Sequence, residues 1–161
     1  RRIPIRDEFF DTVICVSTLE HVGFDNSFYG ADGTSKDRYP DDFTTVMAEF
    51  RRVLKPGGAL LLTVPYGKYM NLGFLQQFDR ELLTRAIDAF DMPKSVEETF
   101  YRYTAEGWQV ASAQDCAEAE FVADQASALV NGKTVNTLSS NTDRAAAARA
   151  VACVKLIKDP K

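Results

Sequence analysis

Ser17, Thr18, Glu20 and His21 gather at one point of the chain, directly after the apolar run Asp-Thr-Val-Ile-Cys-Val at residues 11–16. A short run rich in β-branched residues reads as a strand buried on both faces. Open α/β sheets bind their ligands beyond the carboxyl ends of such strands. His21 is the only histidine of the chain. An imidazole titrates near neutral pH and can take a proton from a reacting hydroxyl, so His21 is a candidate general base and Glu20 its acidic neighbour. The structural alternative is that Glu20 caps or braces the loop and that His21 hydrogen-bonds backbone.

The elements that must hold these residues follow in order. Residues 3–5, Ile-Pro-Ile, form an apolar entry, and a polar turn leads into the opening strand. A long segment, roughly residues 17–40, carries Phe24, Phe28, Tyr29 and Tyr39 among glycines and acids. Loops of this length in compact domains are usually functional or disordered, and the aromatics point to a packed lid or a pocket wall. Asp41 or Asp42 can cap the helix that follows. Its apolar residues Phe43, Val46, Met47, Phe50, Val53 and Leu54 fall on one helical face. Lys55-Pro56-Gly57-Gly58 stops that helix. Residues 59–64, Ala-Leu-Leu-Leu-Thr-Val, then read as a second buried strand.

Strand, helix and strand make a right-handed βαβ unit with parallel strands. The exits at residues 17–23 and 65–67 therefore open on the same sheet edge. Asp79 can cap a second helix whose buried face is Leu82, Leu83, Ala86, Ile87 and Phe90. Residues 96–103 read as a strand, Gly107-Trp108 as a turn, residues 114–120 as a short helix, 131–143 as a mobile loop and 150–157 as the last strand.

Composition limits the function classes. Of the 161 residues, 45% are hydrophobic and 26% charged, which fits one globular domain spanning residues 1–161. The net charge is −4 and no basic cluster exceeds a pair, so the expectation is no nucleic-acid partner. The longest apolar runs fall well short of a membrane span. Cys15, Cys116 and Cys153 lack metal-type spacing and read as reduced thiols, giving a cytoplasmic expectation and no metal.

The segment Asp11-Thr12-Val13-Ile14, then Leu19-Glu20-His21-Val22, the amphipathic helix, Arg52-Val53-Leu54-Lys55-Pro56-Gly57-Gly58 and Leu61-Leu62-Thr63-Val64-Pro65 resembles the class I S-adenosylmethionine-dependent methyltransferases. Glu20-His21-Val22-Gly23-Phe24-Asp25-Asn26, Pro65-Tyr66-Gly67-Lys68 and Tyr101-Arg102-Tyr103 with Gly107-Trp108 resemble members associated with bacterial glycan assembly. The resemblance implies an α/β fold, a partial doubly wound Rossmann-like sheet holding strands four to seven with their helices. The family holds its cofactor chiefly through a Gly-rich loop after the first strand and an acidic residue ending the second. This sequence contains neither, so the piece alone is expected to bind S-adenosylmethionine poorly or not at all.

By the resemblance Ile5 lies near the adenine, and Val16, Ser17, Thr18 and Leu19 pass beside the methionine part. Phe24, Tyr29 and Tyr66 are the candidate acceptor contacts. The expected reaction is methyl transfer to a hydroxyl, or an amine, of a small or glycan-linked acceptor. Two other readings stand beside it. One is a non-catalytic module that self-associates or binds a partner through an exposed sheet edge. The other is a different nucleotide-binding enzyme, such as an oxidoreductase, on the same sheet.

Overall fold

The computed structural model describes residues 2–24, 39–122 and 147–160. Its centre is a five-stranded sheet built from β1 (Phe10–Val16), β2 (Leu54–Pro65), β5 (Pro93–Thr104), β6 (Gly107–Ala111) and β7 (Ala150–Lys158), in the order β1-β2-β7-β5-β6. The helices are α1 (Asp42–Val53), α2 (Arg80–Ala89) and the single-turn α3 (Ala113–Cys116). A two-stranded ribbon, β3 (Met70–Asn71) and β4 (Gln76–Gln77), leaves the carboxyl end of β2.

The expected βαβ unit is present. β1 and β2 pair in parallel, with Ile14 opposite Leu61 and Val16 opposite Thr63, and α1 forms the crossover. Helix α1 starts where the sequence predicts, but by a different device. Asp41 makes no side-chain cap bond, because its carboxylate accepts from the Arg85 guanidinium at 2.7 Å instead. Asp79 does cap α2, accepting from the Leu82 amide at 2.9 Å. The run at residues 55–58 does more than stop α1: the chain is extended from Leu54 onward, so these residues open β2.

Alternation along β2 and β7 separates two faces. Leu60, Leu62 and Val64 join Ala150, Ala152, Val154 and Leu156 in a core with Phe43 and Met47 of α1 and Leu83 and Ala86 of α2. The opposite face is open at β1. Ile14 is 66% exposed and Val16 60%, which corrects the expectation of a strand buried on both sides. The reason is packing: α1 and α2 both lie on the other face, and Leu61, opposite Ile14 in β2, is exposed as well. β-branched composition alone cannot tell a covered face from an open one.

β7 is the element least visible in advance as a central strand. It lies antiparallel between β2 and β5, although it closes the chain. Gly107-Trp108 begins β6, the hairpin mate of β5, so the turn precedes it at residues 105–106. The short helix is confined to Ala113–Cys116, fixed by a capping box in which Ser112 and Asp115 bond each other's amides. The expected loop at residues 131–143 lies outside the described residues.

Candidate active site

At the carboxyl end of β1 the chain turns sharply. Ser17 has φ +42°, a left-handed conformation that costs a non-glycine residue about 1–2 kcal/mol. Its amide is held by Thr63, to the carbonyl and to Oγ1, both at 3.1 Å. The Thr18 hydroxyl donates to the Val16 carbonyl at 2.8 Å. Val16, Ser17 and Thr18 are exposed at this exit. Leu19 is fully buried and belongs to the core, so only its backbone can face a ligand. A 3-10 turn, Leu19–His21, then carries the two candidate catalytic side chains.

Glu20 is 2% exposed, and its Oε2 has no hydrogen-bond partner. Burial pushes its carboxyl up to about 7, partly offset by its own backbone amide. The same burial, together with Glu20, raises the neighbouring Cys15 thiol to about 11. His21 is half-buried. Its Nδ1 donates to the Phe74 carbonyl at 2.9 Å, and its ring lies 6.1 Å from that of Phe74. Burial lowers its pKa, against a smaller raising effect of the Phe74 carbonyl, so the neutral imidazole is favoured.

The backbone bond of His21 is the one the structural alternative anticipates. It also fixes the chemistry of the ring. A carbonyl only accepts, so Nδ1 carries hydrogen and Nε2 is the nitrogen able to take a proton.

The second exit, after β2, opens a cleft of about 400 Å³ lined by Tyr66, Gly67, Lys68, Tyr69, Asp79, Arg80, Glu81, Ala117 and Glu118. Tyr66 is 2% exposed, its ring 4.8 Å from Phe100. The Arg80 guanidinium lies over both rings, 5.8 Å from Tyr66 and 5.2 Å from Phe100, while Nη1 donates to both oxygens of Glu98. Arg80, Glu118 and the Phe74 carbonyl have no counterpart among the sequence candidates. Arg80 was findable, because it opens the helix capped by Asp79 at the edge where both loops converge. The Phe74 carbonyl was not, since a main-chain acceptor leaves no mark in residue type.

Phe24 is 6% exposed and packs inward, and Tyr29 lies outside the described residues. Ile5 is half-buried in a segment clamped to α1 by Arg52. That guanidinium donates to both oxygens of Glu49 at 2.7 Å, to Asp7 at 2.6 Å, and to the Ile5 and Ile3 carbonyls at 2.9 and 3.0 Å. Glu49 is held down to about 2, first by its hydrogen bonds with Arg52. The structure thus joins Val16, Ser17, Thr18, Glu20 and His21 at one exit and gives Tyr66 a separate cleft at the next. Among the described residues no group of His, Cys, Asp and Glu could hold a metal ion, and no helix is long and apolar enough to cross a membrane.

Residues 1–62 match the family model described as a methyltransferase domain. This span runs from the apolar entry through β1, the Glu20-His21 turn and α1 into β2, and the methyl donor of such domains in the class resembled is S-adenosylmethionine. A comparison with curated proteins found no match. Among solved structures the chain is similar to a methyltransferase from Thermotoga maritima, described as S-adenosylmethionine-dependent and a possible histamine N-methyltransferase, at 14% identity and a TM-score of 0.49. That similarity covers 98% of this chain and 60% of the other. An S-adenosylmethionine-dependent methyltransferase from Archaeoglobus fulgidus aligns at 10% identity and a TM-score of 0.49, over 94% of this chain and 61% of its own. A protein from Bacillus halodurans, described as a putative methyltransferase, aligns at 14% identity and a TM-score of 0.44, over 98% and 74%. The chain therefore spans about three fifths of the Thermotoga and Archaeoglobus proteins.

The first exit presents polar side chains and backbone to solvent. Val16, Ser17 and Thr18 are accessible, and the left-handed Ser17 breaks the strand there, presenting backbone beside a carboxyl group and an imidazole.

Proposed function

We propose that this chain is the carboxyl-terminal part of a cytoplasmic methyltransferase acting on a hydroxyl, or less readily an amine, of a small or glycan-linked acceptor. One observation carries the reading: the span matching a methyltransferase domain contains the exit where Glu20 and His21 stand together. S-adenosylmethionine, when bound, supplies an electrophilic methyl group. Val16, Ser17, Thr18 and the Leu19 backbone hold its methionine end, and Ile5 borders its adenine.

His21 accepts the acceptor's proton at Nε2 while Phe74 holds Nδ1–H. Glu20, whose carboxyl changes protonation near neutral pH, is the second acid/base group of the turn. Tyr66 and its cleft form the acceptor wall on the side of the second exit. The three free thiols, two of them buried, support a reducing compartment. Because the sequence holds no Gly-rich cofactor loop, the chain on its own transfers methyl groups weakly or not at all.

The test starts from the coding DNA upstream of Arg1 and uses the longest in-frame polypeptide. His21→Ala lowers kcat there by about 10²–10⁴-fold if His21 is the base. A loss below about tenfold refutes that role.

The open flank of β1 favours a second reading, a module that self-associates by strand pairing. Ile14 and Val16 are exposed on the outermost described strand, and an unpaired edge is a template for another chain. Light scattering decides: a concentration-dependent dimer supports it, and a strict monomer at high concentration excludes it.

A further inference from the structure

The ribbon β3–β4 stands beside the Glu20-His21 turn, and its connection supplies the Phe74 carbonyl that holds His21. Its four-residue connection, Leu72 to Leu75, closes with the Leu72 amide on the Leu75 carbonyl at 3.0 Å. Gly73 has φ +83°, whereas Phe74 is not in the left-handed region. A positive φ is strained for most side chains and is the conformation that favours glycine at this point of the connection. The Gly73 amide is further held by Asn71 Oδ1 at 3.0 Å.

Central carbonyls of a two-residue turn have no partner in their own ladder. The Phe74 carbonyl finds its partner in His21 Nδ1, 53 positions earlier in the chain. The ribbon behind it is anchored from two further sides. Gln76 is 1% exposed and donates from Nε2 to the Pro40 carbonyl at 2.8 Å. Gln77 is fully buried and donates from Nε2 to the Lys68 and Ala119 carbonyls, each at 2.8 Å.

We propose that the 72–75 turn is the positioning element of His21: through the Phe74 carbonyl it locks the imidazole in the Nδ1–H tautomer and so makes Nε2 the proton acceptor. Gly73 and Gln76 are then positioning residues, the first by shaping the turn and the second by tying the ribbon to the start of α1. The inference rests on the reading of His21 as a base for its consequence, but its test does not.

Gly73 offers a clean perturbation, since a Cβ built there meets nothing within 4 Å and only the backbone preference changes. The chain has one histidine, so long-range proton–nitrogen correlation of the 15N-labelled chain, without cofactor or acceptor, reads this tautomer without ambiguity. The wild type shows Nδ1–H as the dominant neutral form above the imidazole pKa. Gly73→Val, which disfavours positive φ most strongly, shifts the tautomer ratio toward Nε2–H by roughly tenfold, and Gly73→Ala shifts it less. Gly73→Asn, which tolerates the left-handed region, retains the wild-type ratio.

Should Gly73→Val fail to fold, the Ala and Asn variants carry the comparison. A wild type dominated by Nε2–H overturns the proposal, and so does a ratio that all three variants leave unchanged. If the tautomer behaves as stated while His21→Ala keeps its rate, the base reading fails and the positioning inference survives.

Discussion

Replacing Glu20 by glutamine tests whether a carboxyl group is held in low dielectric at the β1 exit. The group is 2% exposed and its pKa stands at about 7 against an ordinary 4.5. Between those two values the unfolded chain releases the proton first, so the folded state binds more protons than the unfolded one. Stability then falls as pH rises from about 4.5 to about 7, and the cost is constant above that. At about 1.4 kcal/mol per pKa unit, the shift amounts to roughly 3 kcal/mol.

Glu20→Gln removes the titration. Chemical unfolding of both proteins at about pH 4 and about pH 8 should show the variant gaining roughly 3 kcal/mol on the wild type across that interval. The glutamine amide changes the offset between the two curves, because it brings N–H groups to a site where Oε2 has no partner. It does not change their relative slope. His21 is present in both proteins, so its contribution cancels. Curves that stay parallel from acid to mild base would refute the burial argument.

The other outcomes concern packing, the sheet edge and the clamp. Gly23 has φ +83°, and a Cβ there would clash with the Tyr39 carbonyl, so Gly23→Ala forces the segment before α1 away and lowers stability by at least about 1–2 kcal/mol in thermal unfolding. Leu60→Ala opens a cavity between the sheet and its helices and costs about 2–5 kcal/mol in the same assay. Ile14→Lys with Val16→Lys leaves the fold intact, because both side chains are exposed, and abolishes any dimer seen by light scattering. Arg52→Lys cannot keep the bidentate grip on Glu49, so amide hydrogen exchange speeds up at Ile3, whose N–H is bonded to Glu49.

Much of the fold was readable because the local signals agreed. The apolar face of α1 recurs at helical spacing, Asp79 precedes α2 with a good cap, and the β1–α1–β2 order leaves one parallel pairing. Asp41 shows the limit of such signals: a capping residue type sits at the right place, yet Arg85, 44 positions away, takes its carboxylate. The central position of β7 was not legible, since which strand inserts between β2 and β5 is decided by long-range pairing. Its regular alternation of buried and half-buried residues carries only the fact of a strand.

The site divides in the same way. Glu20 and His21 stood out by residue type at a strand exit. What sets their chemistry, the burial of the one and the Phe74 carbonyl on the other, depends on tertiary contacts that spacing does not encode. Tyr66 was found as an edge residue, but its stacking under Arg80 depends on β5 arriving beside β2 through β7.

The most direct test of the central claim is methyl transfer by the longest in-frame polypeptide carrying this chain, with labelled S-adenosylmethionine and cofactor affinity measured in parallel. The expected result is transfer to a hydroxyl-bearing acceptor that His21→Ala reduces by about 10²–10⁴-fold in kcat, with cofactor affinity essentially unchanged. A polypeptide that binds no S-adenosylmethionine, or one whose transfer rate is indifferent to His21, would contradict it.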